Sequence, residues 1–202
     1  GKMELYNQTY HCWKEKGHGY MSLNNAMKQS CDTYFYEVSR LLGVDRLKIT
    51  AEKFGLGKKV LGEYFENEKK GLFPNTSWKK NQLGKGWVLG ESLITGIGQG
   101  YTQTTPLQLC LMIAQIGNGG YSIKPKIIVN NDPLNFEQTK KAFKEKNLNN
   151  SSTQLFNNSK NIKIIQNSIF SSTNEIYGTS YRSRIEDPKY QFAGKTGTAQ
   201  VK

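Results

Sequence analysis

Near the end of the 202-residue chain, the run from Gly194 to Val201 places Lys195, Thr196, Gly197 and Thr198 in succession. An amine and two hydroxyls around a glycine, on what reads as a strand, suit capture of a carboxylate substrate better than packing. Packing alone would favour β-branched residues alternating with polar ones, and glycine weakens a strand unless backbone must come close to a ligand or another chain. A second set of polar side chains, Ser30 and Asp32 around Cys31, interrupts an apolar helical pattern far upstream. Both residue types cap helices well and serve helix interiors poorly. A turn at that point lifts Ser30 out of the buried stripe and aims it at a cleft. Simple capping explains the same residues on sequence grounds alone, and the downstream lysine motif favours the cleft.

The elements that would position these groups follow from caps and periodicity. Ser22 is a candidate N-cap for a helix whose apolar residues Leu23, Ala26 and Met27 share a face. Apolar spacing resumes at Tyr34, Phe35, Val38, Leu41 and Leu42, and Gly43 can close that helix, so two helices with a turn around Ser30 are expected. Asp45 can start a short helix ending near Phe54 and Gly55, and residues 57–90 read as a long, polar, glycine-broken surface excursion, a usual place for sites and partner contacts. Thr105 and Pro106 form an N-cap and N1 pair for a buried helix through Leu107, Leu111, Ile113 and Ala114 to Ile116, stopped by Gly117. The glycine-rich run from Gly96 to Gly100 lacks a nucleotide fingerprint and is expected to be a close approach of backbone to the site wall. Residues 130–161, rich in Asn, Lys and Ser, read as a mobile or helical surface insertion. Ile162, Ile164 and Ile165 after it mark the start of a strand or a helix.

Lys-Thr-Gly at 195–197 and Ser-x-Asp at 30–32 are two of the three elements of the penicillin-interacting serine enzymes, the third being Ser-x-x-Lys. Between them stand Gly98-Gln99-Gly100-Tyr101 and Thr104-Thr105-Pro106-Leu107-Gln108-Leu109. In that order the stretches closely resemble the transpeptidase domain of the class B penicillin-binding proteins, the penicillin-binding protein 2 group of bacterial cell elongation. The resemblance runs from about Tyr6 and Asn7, through His11, Cys12, Trp13, Gly17, His18 and Gly19, to Val201, and thins out between about 130 and 161. Gly178-Thr179-Ser180 resembles the stretch that precedes the Lys-Thr-Gly strand in that family.

The family's Ser-x-x-Lys normally precedes the Ser-x-Asp turn, and nothing before Ser30 fits it. The nucleophile is therefore expected to lie outside this sequence, which reads as a partial transpeptidase domain truncated at both ends. Ser77-Trp78-Lys79-Lys80 has the spacing, but the chemistry wants serine and lysine one turn apart on a stable helix. With no apolar stripe and with Pro74, Gly84 and Gly86 nearby, that segment reads as a solvated loop and a decoy.

The formal net charge of +12 is compatible with nucleic acid, an anionic membrane surface or an anionic polymer. Lysine pairs such as Lys58-Lys59 and Lys69-Lys70 are scattered without aromatic interleaving or a nucleic-acid motif, so solvated lysines are the simpler reading. Cys12, Cys31 and Cys110 give no disulfide framework, and His11, Cys12 and His18 lack the close pairs and fourth ligand of a zinc site. Local structure is the expectation for them, with no metal and no cofactor. The longest apolar stretch, 107–116, is far short of a membrane span.

The resemblance implies an α/β (α+β) serine-transpeptidase fold, with a helical lobe containing Ser30 packed on an antiparallel sheet whose strand carries Lys195. It implies a D,D-transpeptidase acting on the D-Ala-D-Ala end of peptidoglycan stem peptides and inhibited by β-lactams. A glycosyltransferase of the elongation machinery is the implied partner, and a periplasmic catalytic domain behind an inner-membrane anchor the implied place. Ser30 would pass a proton toward the leaving amine, Lys195 would hold Ser30, and Asp32 would fix the turn and bond the substrate backbone. Thr196 and Thr198 would offer hydroxyls to the terminal carboxylate, Gly197 would let the donor lie close, and the Thr198 amide would form half of an oxyanion hole. A non-catalytic penicillin-recognising sensor, a carboxypeptidase or β-lactamase, and a basic nucleic-acid-binding module are the competing readings.

Overall fold

A computed structural model describes residues 1–62, 65–125 and 153–200. Most of the expected insertion at 130–161 therefore lies outside the described residues. The chain opens with an antiparallel hairpin, β1 (Lys2–Leu5) and β2 (Gln8–His11), in the register Lys2 to His11 and Leu5 to Gln8. Tyr10 packs edge-on against Tyr36 at 5.8 Å, and the Tyr36 hydroxyl donates to the His11 carbonyl at 3.1 Å. Burial of that phenol pushes its pKa up to about 12.

Helices follow. Ser22 caps α1 (Leu23–Lys28) by accepting from the Asn25 amide, and after a turn α2 (Asp32–Leu42) ends at Gly43 with φ 74°. α3 (Val44–Lys53) continues directly. The two-helix reading around Ser30 and the stop at Gly43 are borne out, although Leu41 and Leu42 face solvent while Tyr36 and Ser39 are buried. Ser39 bonds its own helix at the Phe35 carbonyl, 2.7 Å away, and lies where α5 crosses α2 at Gly96. A Cβ at Gly96 would fall on the Ser39 hydroxyl, so glycine sets how closely the helices approach.

The loop expected between 57 and 90 is in part helical. α4 (Thr76–Leu83) spans the Ser77-Trp78-Lys79-Lys80 segment, capped by Asn75 and closed by left-handed Gly84, and α5 (Leu89–Gly96) begins inside the same stretch. What holds α4 is tertiary. The Lys79 amine, almost fully buried, pairs with Glu91 at 2.5 Å beneath the Trp87 ring, and Asp45 accepts from the Thr76 amide and hydroxyl.

α6 (Pro106–Gly117) has the expected Thr105 cap and Pro at N1. It is half-buried rather than buried: Leu111 points inward with Gln108 and Gln115, while Leu109 and Ile113 are exposed. The fully buried Gln108 accepts from the Thr105 amide and donates to the carbonyls of Lys58 and Lys70 at 2.7 and 2.8 Å, tying both ends of the loop between them to the helix. Gln115 donates to the Phe54 carbonyl. Two glutamines thus occupy inward positions because each satisfies buried backbone that has no ladder partner.

After a bridge between Tyr121 and Gln154, α7 (Ser159–Asn174) forms one long helix through Ile162, Ile164 and Ile165. It packs on α1, where Lys28 meets Glu175 at 2.9 Å. Its buried face near the C-terminus is hydroxylic: Ser168, Ser171, Ser172 and Thr173. The apolar core is divided into one cluster of Cys12, Ala26 and Cys31 and another of Ala51, Leu56 and Phe73.

The strand expected to carry Lys195 is not formed. Among the described residues the only sheet is the β1–β2 hairpin, and residues 191–200 have no regular secondary structure. A strand is defined by its partner, and here side chains take the partner's place. Asn174 donates to the Phe192 carbonyl at 2.8 Å and Thr173 to the Gly194 carbonyl at 3.3 Å.

Candidate active site

Ser30 and Lys195 meet. The Lys195 amine donates to the Ser30 hydroxyl across 165 residues of chain, and to the Thr196 hydroxyl at 3.1 Å. Ser30 and Thr196 hydroxyls are 3.4 Å apart, and Thr196 continues to Thr179 at 3.1 Å. Lys195 is exposed as a residue, but its amine faces this group, and burial lowers its affinity for a proton while the Asp32 carboxylate opposes that shift. The site therefore holds a lysine that gives up its proton more readily than an ordinary one.

Ser30 reaches the lysine because its backbone is left-handed, φ 51°, between the end of α1 and the start of α2. Asp32, the first residue of α2, accepts from the Trp13 amide at 3.0 Å and ties the turn to the segment after β2. On the other side, Thr179 donates its amide to the Lys28 carbonyl at 3.1 Å and shares a hydroxyl contact with Ser172 at 3.3 Å. Thr179 thus joins α1, α7 and the lysine segment at one point. Gly178 makes this possible, because a Cβ there would lie 2.2 Å from the Ser172 carbonyl oxygen. Gln99 donates its side-chain amide to the Thr198 carbonyl at 3.1 Å, so the glycine-rich run touches the lysine segment through a side chain and not through the expected close approach of backbone. Gly197 borders open space: nothing lies within 4 Å of where its Cβ would be.

Of the residues singled out in the sequence, Ser30, Lys195 and Thr196 are brought together, with Asp32 behind the turn and Thr198 held through its carbonyl. Trp13, Gln99 and Thr179 are additions. Their only sequence signal was membership of the resembling stretches, since neutral side chains bonding backbone leave no pattern of spacing.

Cys12, His18 and Cys31 also converge, each offering a donor atom within 4.8 Å of the others, and Cys12 Sγ lies 3.6 Å from His18 Nδ1. His18 Nε2 is buried without a partner among the described residues. Two sulfurs and an imidazole are donors that soft divalent ions such as zinc accept, one short of the usual four. Their spacing, 6 and 13 residues, matches no close-pair pattern, which is why the sequence points only to local structure for them. As a brace beneath Ser30 they belong to the support of the site, and no chemical step is assigned to them.

The geometry is that of a serine and a lysine brought into contact from distant parts of the chain. The model of the penicillin binding protein transpeptidase domain matches residues 2–202. The chain belongs to that family. Within it, the transpeptidase-domain chain is 33% identical over 94% of its length to the peptidoglycan D,D-transpeptidase MrdA of Acinetobacter baumannii, of which it spans 27%. Among solved structures, it is similar to Pseudomonas aeruginosa PBP2 in complex with WCK 5153, with a TM-score of 0.81 and 32% identity over 100% of this chain and 44% of that one. It is likewise similar to the Helicobacter pylori complex between PBP2 and MreC, with a TM-score of 0.79 and 30% identity over 99% of this chain and 34% of that one. The transpeptidase-domain chain spans less than a third of the Acinetobacter relative.

Proposed function

We propose that the protein containing this chain is a peptidoglycan D,D-transpeptidase and a target of β-lactams, and that this chain supplies the proton-handling and carboxylate-binding side of its site. The observation that carries the reading is the contact between the Lys195 amine and the Ser30 hydroxyl. The nucleophile is a serine of a Ser-x-x-Lys helix that precedes Gly1 in the whole protein. It attacks the penultimate carbonyl of a D-Ala-D-Ala stem, its lysine taking the proton, and D-alanine leaves with a proton passed through Ser30. An amine of a second stem then attacks the acyl-enzyme, frees the serine and forms the crosslink.

Lys195 holds Ser30 and adds positive potential across the cleft. Its lowered proton affinity suits repeated exchange with Ser30. Asp32 fixes the turn. The hydroxyls of Thr196 and Thr198 receive the terminal carboxylate, Thr196 exchanging its bond to Thr179 for one to the substrate, and Gly197 leaves room for the donor. The Thr198 amide is half of an oxyanion hole, and Gln99 steadies the peptide group that follows it through the Thr198 carbonyl. By likeness to its relatives, the site works in the periplasm behind a membrane anchor, with a glycosyltransferase and an MreC-like protein as partners. Among the described residues no helix is long and apolar enough to cross a membrane.

Fluorescent penicillin labelling of the full-length protein tests this. Ser30→Ala and Lys195→Ala are each expected to slow acylation by about a hundredfold, and residues 1–202 alone are expected to take no label. Unchanged rates in both variants would remove the proposed roles, and labelling of the isolated chain would place the nucleophile within it.

A further inference from the structure

The turn carrying Ser30 is gripped from outside by one side chain. The Trp13 indole N–H donates to the carbonyls of Gln29 at 3.1 Å and Ser30 at 2.8 Å, the two peptide groups that flank the Ser30 Cα. The Trp13 amide donates to Asp32, one residue beyond Cys31. Ser30 itself sits at φ 51°, a conformation that a serine seldom adopts unless its surroundings over-determine it. On the inner side the same two peptides are tied to α1, the Ser30 amide donating to the Met27 carbonyl at 3.3 Å and the Cys31 amide to the Ala26 carbonyl at 2.9 Å. The indole N–H holds their carbonyls from the outer side, so rotation about either Ser30 backbone bond also breaks one of its hydrogen bonds.

Burial does not explain Trp13. The residue is 62% exposed, with its ring edge-on to His18 at 5.4 Å, whereas its neighbour Cys12 is in the core cluster with Ala26 and Cys31. Cys12, together with the bond from Tyr36 to the His11 carbonyl, anchors this segment independently of the indole. Loss of the indole N–H therefore loosens the outer side of the turn, leaving its bonds to Met27 and Ala26 and the anchored segment in place.

We propose that Trp13 is a positioning residue whose indole N–H locks the Ser30 turn in its left-handed form and so aims the Ser30 hydroxyl at Lys195. The proposal rests on the role of Ser30 given above. Its consequence is that an exposed aromatic with no place in the reaction controls the rate of acylation while leaving penicillin affinity alone.

The test uses the full-length protein with Trp13→Phe and with Trp13 replaced by benzothienylalanine, whose sulfur takes the place of the N–H in a ring of the same shape. Acylation followed against penicillin concentration resolves the first-order step and the reversible binding that precedes it. Both variants are expected to lose about tenfold in the first-order step, the scale of one hydrogen bond, with binding changed by less than about twofold. Amide exchange should accelerate in the peptide containing residues 29–32 with no change in melting temperature. In a Ser30→Ala background, Trp13→Phe should add no further loss, because the effect passes through Ser30. Equal losses in both backgrounds, wild-type behaviour of the benzothienyl variant, or unchanged exchange at 29–32 would each overturn the proposal. If Ser30→Ala labels as fast as the wild type, the proposed role of Ser30 falls, and the exchange measurement still decides whether Trp13 holds the turn.

Discussion

Ser30 and Lys195 meet because unrelated local devices turn them toward each other. On one side a left-handed backbone tied to Trp13 lifts the serine from between two helices, and on the other α7 side chains hold the lysine segment against the fold. Gly178 sets the distance between the two sides, since Thr179 next to it contacts both Lys28 and Thr196. Gly178→Ala would force a methyl into the Ser172 carbonyl. We expect it to cost about 2 kcal/mol in denaturant unfolding and to slow penicillin labelling, because Thr179 must move with it. The sequence announced Ser30 and Lys195 through residue type, as cappers out of place and a cation beside glycine. For Thr179 and Gln99 it offered only their place in the resembling stretches, because their roles depend on which backbone carbonyl lies opposite.

At the level of elements, helices with side-chain caps were legible: α1 from Ser22, α2 from its stop at Gly43, and α6 from Thr105 and Pro106. α4 was not, because its stability comes from the Lys79–Glu91 pair and the Asp45 contacts, which connect positions 12 and 31 residues apart. The lysine segment failed as a strand for the converse reason: composition suggested a sheet, and side chains took the partner's place, Asn174 and Thr173 of α7 at the Phe192 and Gly194 carbonyls and Gln99 at the Thr198 carbonyl. The α1–α7 contact carries a pH prediction. Lys28 and the Ser171 hydroxyl hold the Glu175 carboxyl below its ordinary value of 4.5. The contribution is complete above that value and is lost as pH falls through the lower, folded one. Glu175→Gln should cost about 0.5 kcal/mol at pH 7, the carboxylate being half exposed, and the gap to the wild type should close toward pH 3 in thermal melts. A gap that persists in acid would exclude this pair as its origin.

Across its whole length the chain carries a formal net charge of +12, and among the described residues several lysines have separate local duties. Lys59 bonds the Glu66 carbonyl, Lys48 and Lys58 approach Glu52, and Lys79 is buried. Such a distribution should give only diffuse attraction to nucleic acid, so any DNA or RNA shift at low salt is expected to vanish by about 0.2 M. A complex that survives would revive the basic-module reading. The family was legible across the chain because its motifs keep their order, and the apolar packing was less so, since buried glutamines and serines fill places usually given to aliphatic residues. The separation of 165 residues between Ser30 and Lys195 sets a sequence of events in folding. Neighbouring pairs such as α1 with α2 close short loops and can form early, whereas uniting the two ends of the chain carries the largest loop entropy and comes late. An antibiotic that reacts only at the united site is then a probe of finished molecules, blind to a helical intermediate that circular dichroism would count as native.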